Sequence, residues 1–128
     1  MTVRAYLVDD EPLAIARLAR LLDDTGRVEV IGSATDPEEA VAALASTPPD
    51  VCFLDIHMPG LSGLDVQTRL CEAEAAIPVV FVTASDDVAL DRSVRQAGGV
   101  RLLRKPFSND DLLEAVGEAL QRKARDVS

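Results

Sequence analysis

The chain has 128 residues, 48% of them hydrophobic, which suits one domain around a single core and leaves no reason to divide it. A net charge of −9 and a pI near 4.5 exclude the clustered Lys and Arg of a nucleic-acid surface, and favour cations and basic protein faces as partners. The apolar runs are far shorter than a membrane span and the opening MTVRAYLVDDEP lacks the apolar block of a signal peptide, so a soluble, cytoplasmic protein with no membrane partner is expected.

Five runs rich in β-branched or bulky apolar residues, RAYLV, VEVIGSA, VCFL, VVFVT and VRLL, alternate with segments of helical spacing. The first helical segment is PLAIARLARLLDD, where Ile15, Leu18 and Leu22 share one face and Arg17 and Arg20 another. The second is DPEEAVAALAS, with Asp36 at the N-cap, Pro37 at the first helical position and Glu39 placed for a capping box. Ser62 and Asp65 open the third, SGLDVQTRLCEAE, in capping spacing; the fourth, SDDVALDRSVRQAGG, ends on a Gly pair suited to a helix stop. The fifth, SNDDLLEAVGEALQRKARD, starts at Ser108 and Asp111 and should dock through Leu112, Leu113, Val116 and Leu120. Cys52 lies in a strand run and Cys71 in a helix, with no CxxC pattern, so two buried or half-buried free thiols are expected.

Connections too long for hairpins make this alternation a parallel sheet with helices on both faces, a doubly wound α/β fold. The whole chain, 1–128, reads as one domain with a core over about 4–122 and a fraying tail over 123–128.

Ligands of an open parallel sheet collect outside the carboxyl ends of its strands, so the residue after each run is the informative one. The first run ends in Asp9 and Asp10, the third in Asp55, the fourth in Thr83 and the fifth in Lys105 followed by Pro106. Only the second ends without chemistry, at Ser33 and Ala34. Carboxylates sharing a crevice repel by roughly 3 kcal/mol per pair at about 5 Å and an effective dielectric near 20. Lys105 supplies one compensating charge, and the remaining deficit suits a hard divalent cation with oxygen ligands, Mg²⁺ above others. A carboxylate beside such an ion and a lysine can attack a phosphoryl group and form an acyl phosphate, with Thr83 placed to hydrogen-bond the transferred group.

The motifs LVDDEP, FLDIHMPGLSGLD, VFVTAS and LLRKPF, in that order from about Arg4 to Arg122, resemble those of a response-regulator receiver domain, the CheY-like module of bacterial two-component signalling. The resemblance implies five parallel strands in the flavodoxin-like order 2-1-3-4-5 with five helices. It implies Asp55 as phospho-acceptor, Asp10 and Asp55 as direct Mg²⁺ ligands, Asp9 through water, and the backbone carbonyl of His57 as a further ligand, with Mn²⁺ able to substitute. Thr83 would be the switch hydroxyl, Lys105 the phosphate partner, and the Lys105–Pro106 bond cis in many members. The donor would be the phosphohistidine of a sensor histidine kinase or phosphotransfer protein docking near the first helix. The fourth and fifth helices would carry the phosphorylation-sensitive face, with possible self-association there.

One position departs from the family pattern, because Leu102 stands where receivers usually carry a Tyr or Phe paired with the switch hydroxyl. His57 and Ser85, two residues after Asp55 and Thr83, occupy positions that in the family set the lifetime of the acyl phosphate. Three other readings share parts of this pattern. A haloacid-dehalogenase-like phosphatase would need a second Asp where His57 stands. A flavodoxin-type module would need a Gly/Ser/Thr-rich loop where Asp9, Asp10 and Glu11 stand. A phosphate-independent interaction domain would keep the fold alone.

Overall fold

The computed structural model describes residues 2–127, with side chains to residue 125. Five strands, β1 (Val3–Val8), β2 (Val28–Ala34), β3 (Val51–Asp55), β4 (Val79–Thr83) and β5 (Arg101–Arg104), form one parallel sheet in the order β2-β1-β3-β4-β5. The helices α1 (Pro12–Asp24), α2 (Pro37–Ser46), α3 (Gly63–Glu72), α4 (Ala89–Gln96) and α5 (Asn109–Val127) alternate with them. The doubly wound fold and its strand order are those expected from the sequence and its family resemblance.

Successive side chains of a strand point to opposite faces, and here that two-residue period sorts the core into two layers. Ala5, Leu7, Val51, Phe53, Val80, Val82 and Leu103 pack with α1 and α5 residues such as Leu22, Leu112 and Ala115. Tyr6, Val8, Cys52, Leu54, Val79 and Phe81 pack with Leu44, Val66, Leu70 and Val94 of α2, α3 and α4. The central runs are apolar throughout because both faces are covered, as a parallel sheet requires.

The start signals hold in part. Ser62 and Asp65 form a capping box, and Ser108 and Asp111 exchange the same pair of bonds. Asp36, however, accepts from the Glu38 amide at 3.4 Å, not in a capping box with Glu39; its short side chain closes a turn one residue earlier. The fourth helix begins at Ala89, later than Ser85, because Ser85 and Asp87 use their side chains on loop amides and so compete with helical pairing. Gly98, at φ +85°, closes it.

Three expectations are corrected. Cys52 is buried but Cys71 is exposed, since it lies on the solvent side of α3. Helix α5 runs through Ala124–Val127, where a fraying tail was expected, and Lys123 pairs with Asp50. Leu120 is 38% exposed, and the helical period instead sends Ala115 and Ala119 inward beside Leu112 and Val116. Leu112→Ala should therefore cost about 2–5 kcal/mol in urea unfolding, and Leu120→Ala less than about 1 kcal/mol.

Candidate functional site

The strand-end residues are brought to one edge by the register of the sheet. Asp55 lies opposite Val82, and the Ile56 amide continues the ladder to the Val82 carbonyl at 3.1 Å. The Asp9 amide donates to Ala34 O at 3.2 Å, and the Lys105 amide to Thr83 O at 2.8 Å. Asp55 and Thr83 thus end their strands and Asp9 and Lys105 follow theirs, each still tied to a neighbouring strand. The two-residue period puts Asp9, Asp55 and Lys105 in the rows of Leu7, Phe53 and Leu103, on the α1/α5 side. Thr83 continues the row of Val79 and Phe81, on the α4 side.

Carboxylate oxygens of Asp9, Asp10 and Asp55 lie within 4.8 Å of one another. Asp9 is buried, its Oδ1 accepting from the Glu11 amide at 3.0 Å and its Oδ2 lying 3.5 Å from Lys105 Nζ. Burial, then the neighbouring Asp9, push the Asp55 carboxyl up to about 6, with a smaller push from Asp10; Lys105 and the His57 backbone amide pull the other way without cancelling them. Three acidic groups against one ammonium leave a negative deficit. The donors are all hard oxygens, so the residues present fit a divalent cation of the Mg²⁺ type, with Asp9, Asp10 and Asp55 as the side chains able to hold it.

Asp9 and Asp55 line a cavity of about 460 Å³ together with Glu11 and, from α1, Ala14, Ile15, Arg17 and Leu18. Lys105, Pro106 and Phe107 form its rim, and the Lys105–Pro106 bond is cis. Leu13, 70% exposed on α1, stands close in sequence to this opening.

Other expected residues lie nearby in different settings. Thr83 is fully buried, and its hydroxyl accepts from the Ser85 amide at 3.0 Å. Ser85 is half-buried; the His57 side chain is exposed and takes no place in the acidic cluster. Leu102 is half-buried against the core layer that contains Phe81 and Val94.

Sequence reasoning missed Gly63. Its amide bonds Ile56 O at 2.8 Å, and a Cβ there would sit 2.3 Å from the Asp55 carbonyl oxygen and 3.0 Å from the Ile56 Cα. The signal was available: a helix already capped by Ser62 has no local need for glycine at its first position. Gly63→Ala is expected to cost about 1–3 kcal/mol and to slow any chemistry at Asp55, checked by thermal unfolding and by phosphorylation rate.

A family model described as the response regulator receiver domain matches residues 5–117. The positive alginate biosynthesis regulatory protein of Pseudomonas aeruginosa is 47% identical over 118 residues, covering 91% of this chain and 47% of that protein. A response regulatory protein of Vibrio cholerae is 40% identical over 125 residues, covering 97% of this chain and 52% of that protein. The chain therefore spans about half the length of these curated relatives. Among solved structures, the signal receiver domain of the response regulator NarL from Mycobacterium tuberculosis is 30% identical with a TM-score of 0.86, covering 94% of this chain and 97% of that one. On the family match, these identities and the shared fold, the chain belongs to the response regulator receiver domains of two-component signalling.

Proposed function

We propose that this domain receives a phosphoryl group on Asp55 from a phosphohistidine and uses it to alter the face around α4 and α5. The observation that carries the reading is the meeting of Asp9, Asp10 and Asp55 within 4.8 Å, with Lys105 as the neighbouring ammonium. An Asp55 carboxylate oxygen attacks phosphorus in line, the phosphorus–nitrogen bond of the donor breaks, and the electron pair leaves with the imidazole. Lys105, now beside Asp9, would pair with the phosphoryl oxygens, and Thr83 would hydrogen-bond them once its hydroxyl turns from the α4 side toward Asp55. A bound Mg²⁺ would neutralise charge on the phosphoryl oxygens; Asp10 and Asp55 would hold it directly, Asp9 through water, with the His57 carbonyl as a further ligand. The chemistry modifies the domain itself, which makes it a regulatory module in the cytoplasm, with His57 and Ser85 influencing how long the modification lasts.

The cavity beside α1 supports docking of the donor there, because its apolar wall of Ala14, Ile15 and Leu18 leads to Asp55. A sensor kinase or phosphotransfer helix presenting an apolar stripe and a histidine matches that surface. Incubation with acetyl phosphate, with and without Mg²⁺, tests the proposal by intact-mass measurement. One phosphoryl addition is expected with Mg²⁺ and none with a chelator. Addition that persists in Asp55→Asn would refute the assignment.

A further inference from the structure

Between Thr83 and α4 runs an unbroken series of hydrogen bonds. The Ser85 amide donates to Thr83 Oγ1 at 3.0 Å, the Asp87 amide to Ser85 Oγ at 3.1 Å, and the Ala89 amide to Asp87 Oδ1 at 3.0 Å. Each short polar side chain closes the loop on the next, so the segment from the end of β4 to the start of α4 moves as one piece. Arg104 fastens that piece to β5. Its Nη2 donates to the Asp87 carbonyl at 2.7 Å and lies 3.1 Å from Asp91 Oδ2, while its Nη1 donates to Asp91 Oδ1 at 3.2 Å.

The other polar attachments of α4 lie at its far end. Gln67 Nε2 donates to Ala97 O at 3.2 Å and Arg122 to Gly98 O at 2.9 Å, while Gly99 is wedged against Phe81 and Val94. Helix α4 packs chiefly on β5, and Val88 at its start is 82% exposed. At its amino end Leu90 packs on the core layer, and among the described residues Arg104 makes the polar tie from that end to β5.

Thr83 belongs to the row facing α4, and Asp55 to the row facing α1. To reach a phosphoryl group on Asp55, the Thr83 hydroxyl must turn toward the sheet edge and draw Ser85 and Asp87 with it. Arg104 sits on β5 opposite Thr83, so this displacement pulls the Asp87 carbonyl away from the guanidinium. We propose that Arg104 is a latch that holds the amino end of α4 in the unphosphorylated arrangement, and that its release couples Asp55 to the α4 face in a domain whose Leu102 lacks the aromatic readout. The inference rests on Asp55 being the phospho-acceptor.

Coupling is reciprocal: what phosphorylation weakens must, when removed, favour the phosphorylated state. The test is the affinity of the intact chain for beryllofluoride, a mimic of the aspartyl phosphate, with Mg²⁺ present, read by nuclear magnetic resonance. Arg104→Ala is expected to bind roughly three- to tenfold tighter and to lose hydrogen-exchange protection at Leu90 and Asp91 before any ligand is added. Arg104→Lys keeps a charge beside Asp91 but lacks the planar fork that spans both acceptors, so an intermediate affinity is expected. Arg101→Ala is the control, because Arg101 faces the other way and pairs with Glu114 and Glu118 of α5. Its affinity should equal that of the wild type even if it is less stable. Equal affinity in wild type, Arg104→Lys and Arg104→Ala, or the same tightening in Arg101→Ala, would overturn the latch while leaving phosphorylation intact. Failure of the wild type to bind beryllofluoride would instead overturn the reading of Asp55 on which the latch depends.

Discussion

Asp55→Asn should do two opposite things: abolish phosphorylation and, with a chelator present, make the domain more stable. The first follows because an amide oxygen is a poor nucleophile and no other carboxylate stands at the end of β3. Incorporation from acetyl phosphate should fall by at least about a hundredfold, the scale of losing an essential nucleophile. The second follows from the sign of the Asp55 shift. Its carboxyl is pushed up to about 6 in the fold, first by burial and then by Asp9, so the native state binds a proton more tightly than the unfolded chain does. Stability from this group is full below about pH 4 and declines as pH rises through 6. At pH 7 the ionised group is a net cost, and removing it should return about 1–2 kcal/mol, discounted from the full shift because Asp55 is only half-buried. Urea titrations at pH 5 and pH 7 check this. Wild type should lose stability between them, and Asp55→Asn should lose less. An equal loss in both proteins would show that Asp55 carries no such penalty.

That the proposed phospho-acceptor should weaken its own fold explains why Asp55 stood out in the sequence. Four apolar residues running into Asp55 make no sense as core design, and the same holds for LV into Asp9 and Asp10. The strand-end rule then names the meeting place, and the structure brings Asp9, Asp10, Asp55 and Lys105 together there. What escaped were properties that depend on close approach or on facing direction. Gly63 matters through backbone behind it that belongs to another element. Arg104 drew no reading from the sequence, and only the pairing of β4 with β5 shows it reaching Asp87 and Asp91. Leu120 and Ala119 were exchanged because apolar size drew attention where the helical period should have decided. The late start of α4 had the same kind of cause, since Ser85 and Asp87 read as helix openers but serve the loop leading from Thr83.

Asp10→Asn should separate the metal from the rest of the machinery. Asp10 lies within 4.8 Å of both Asp9 and Asp55, so in a chelator its neutralisation removes repulsion and should raise the melting temperature, as Asp55→Asn does. Addition of Mg²⁺ should reverse the order. A ligand that binds only the folded state stabilises by RT ln(1 + [L]/Kd), which is about 2.7 kcal/mol at a hundredfold excess over Kd. The wild type should therefore gain several degrees on titration with Mg²⁺ or Mn²⁺ and overtake a variant that gains almost nothing. Glu11→Gln is the matched control: Glu11 is exposed next to the cluster, and only its backbone amide bonds Asp9, so its Mg²⁺ response should stay that of the wild type. Salt at equal ionic strength should shift wild type and Asp10→Asn by similar amounts, since screening acts on every exposed acid alike while coordination acts on Asp10. A gain retained in Asp10→Asn would mean that the ion is held without Asp10, by Asp9 and Asp55 or by other acids of the surface. Asp10 would then lose its place as a direct ligand, and any cation requirement of the phosphorylation would fall to the remaining acids of this edge.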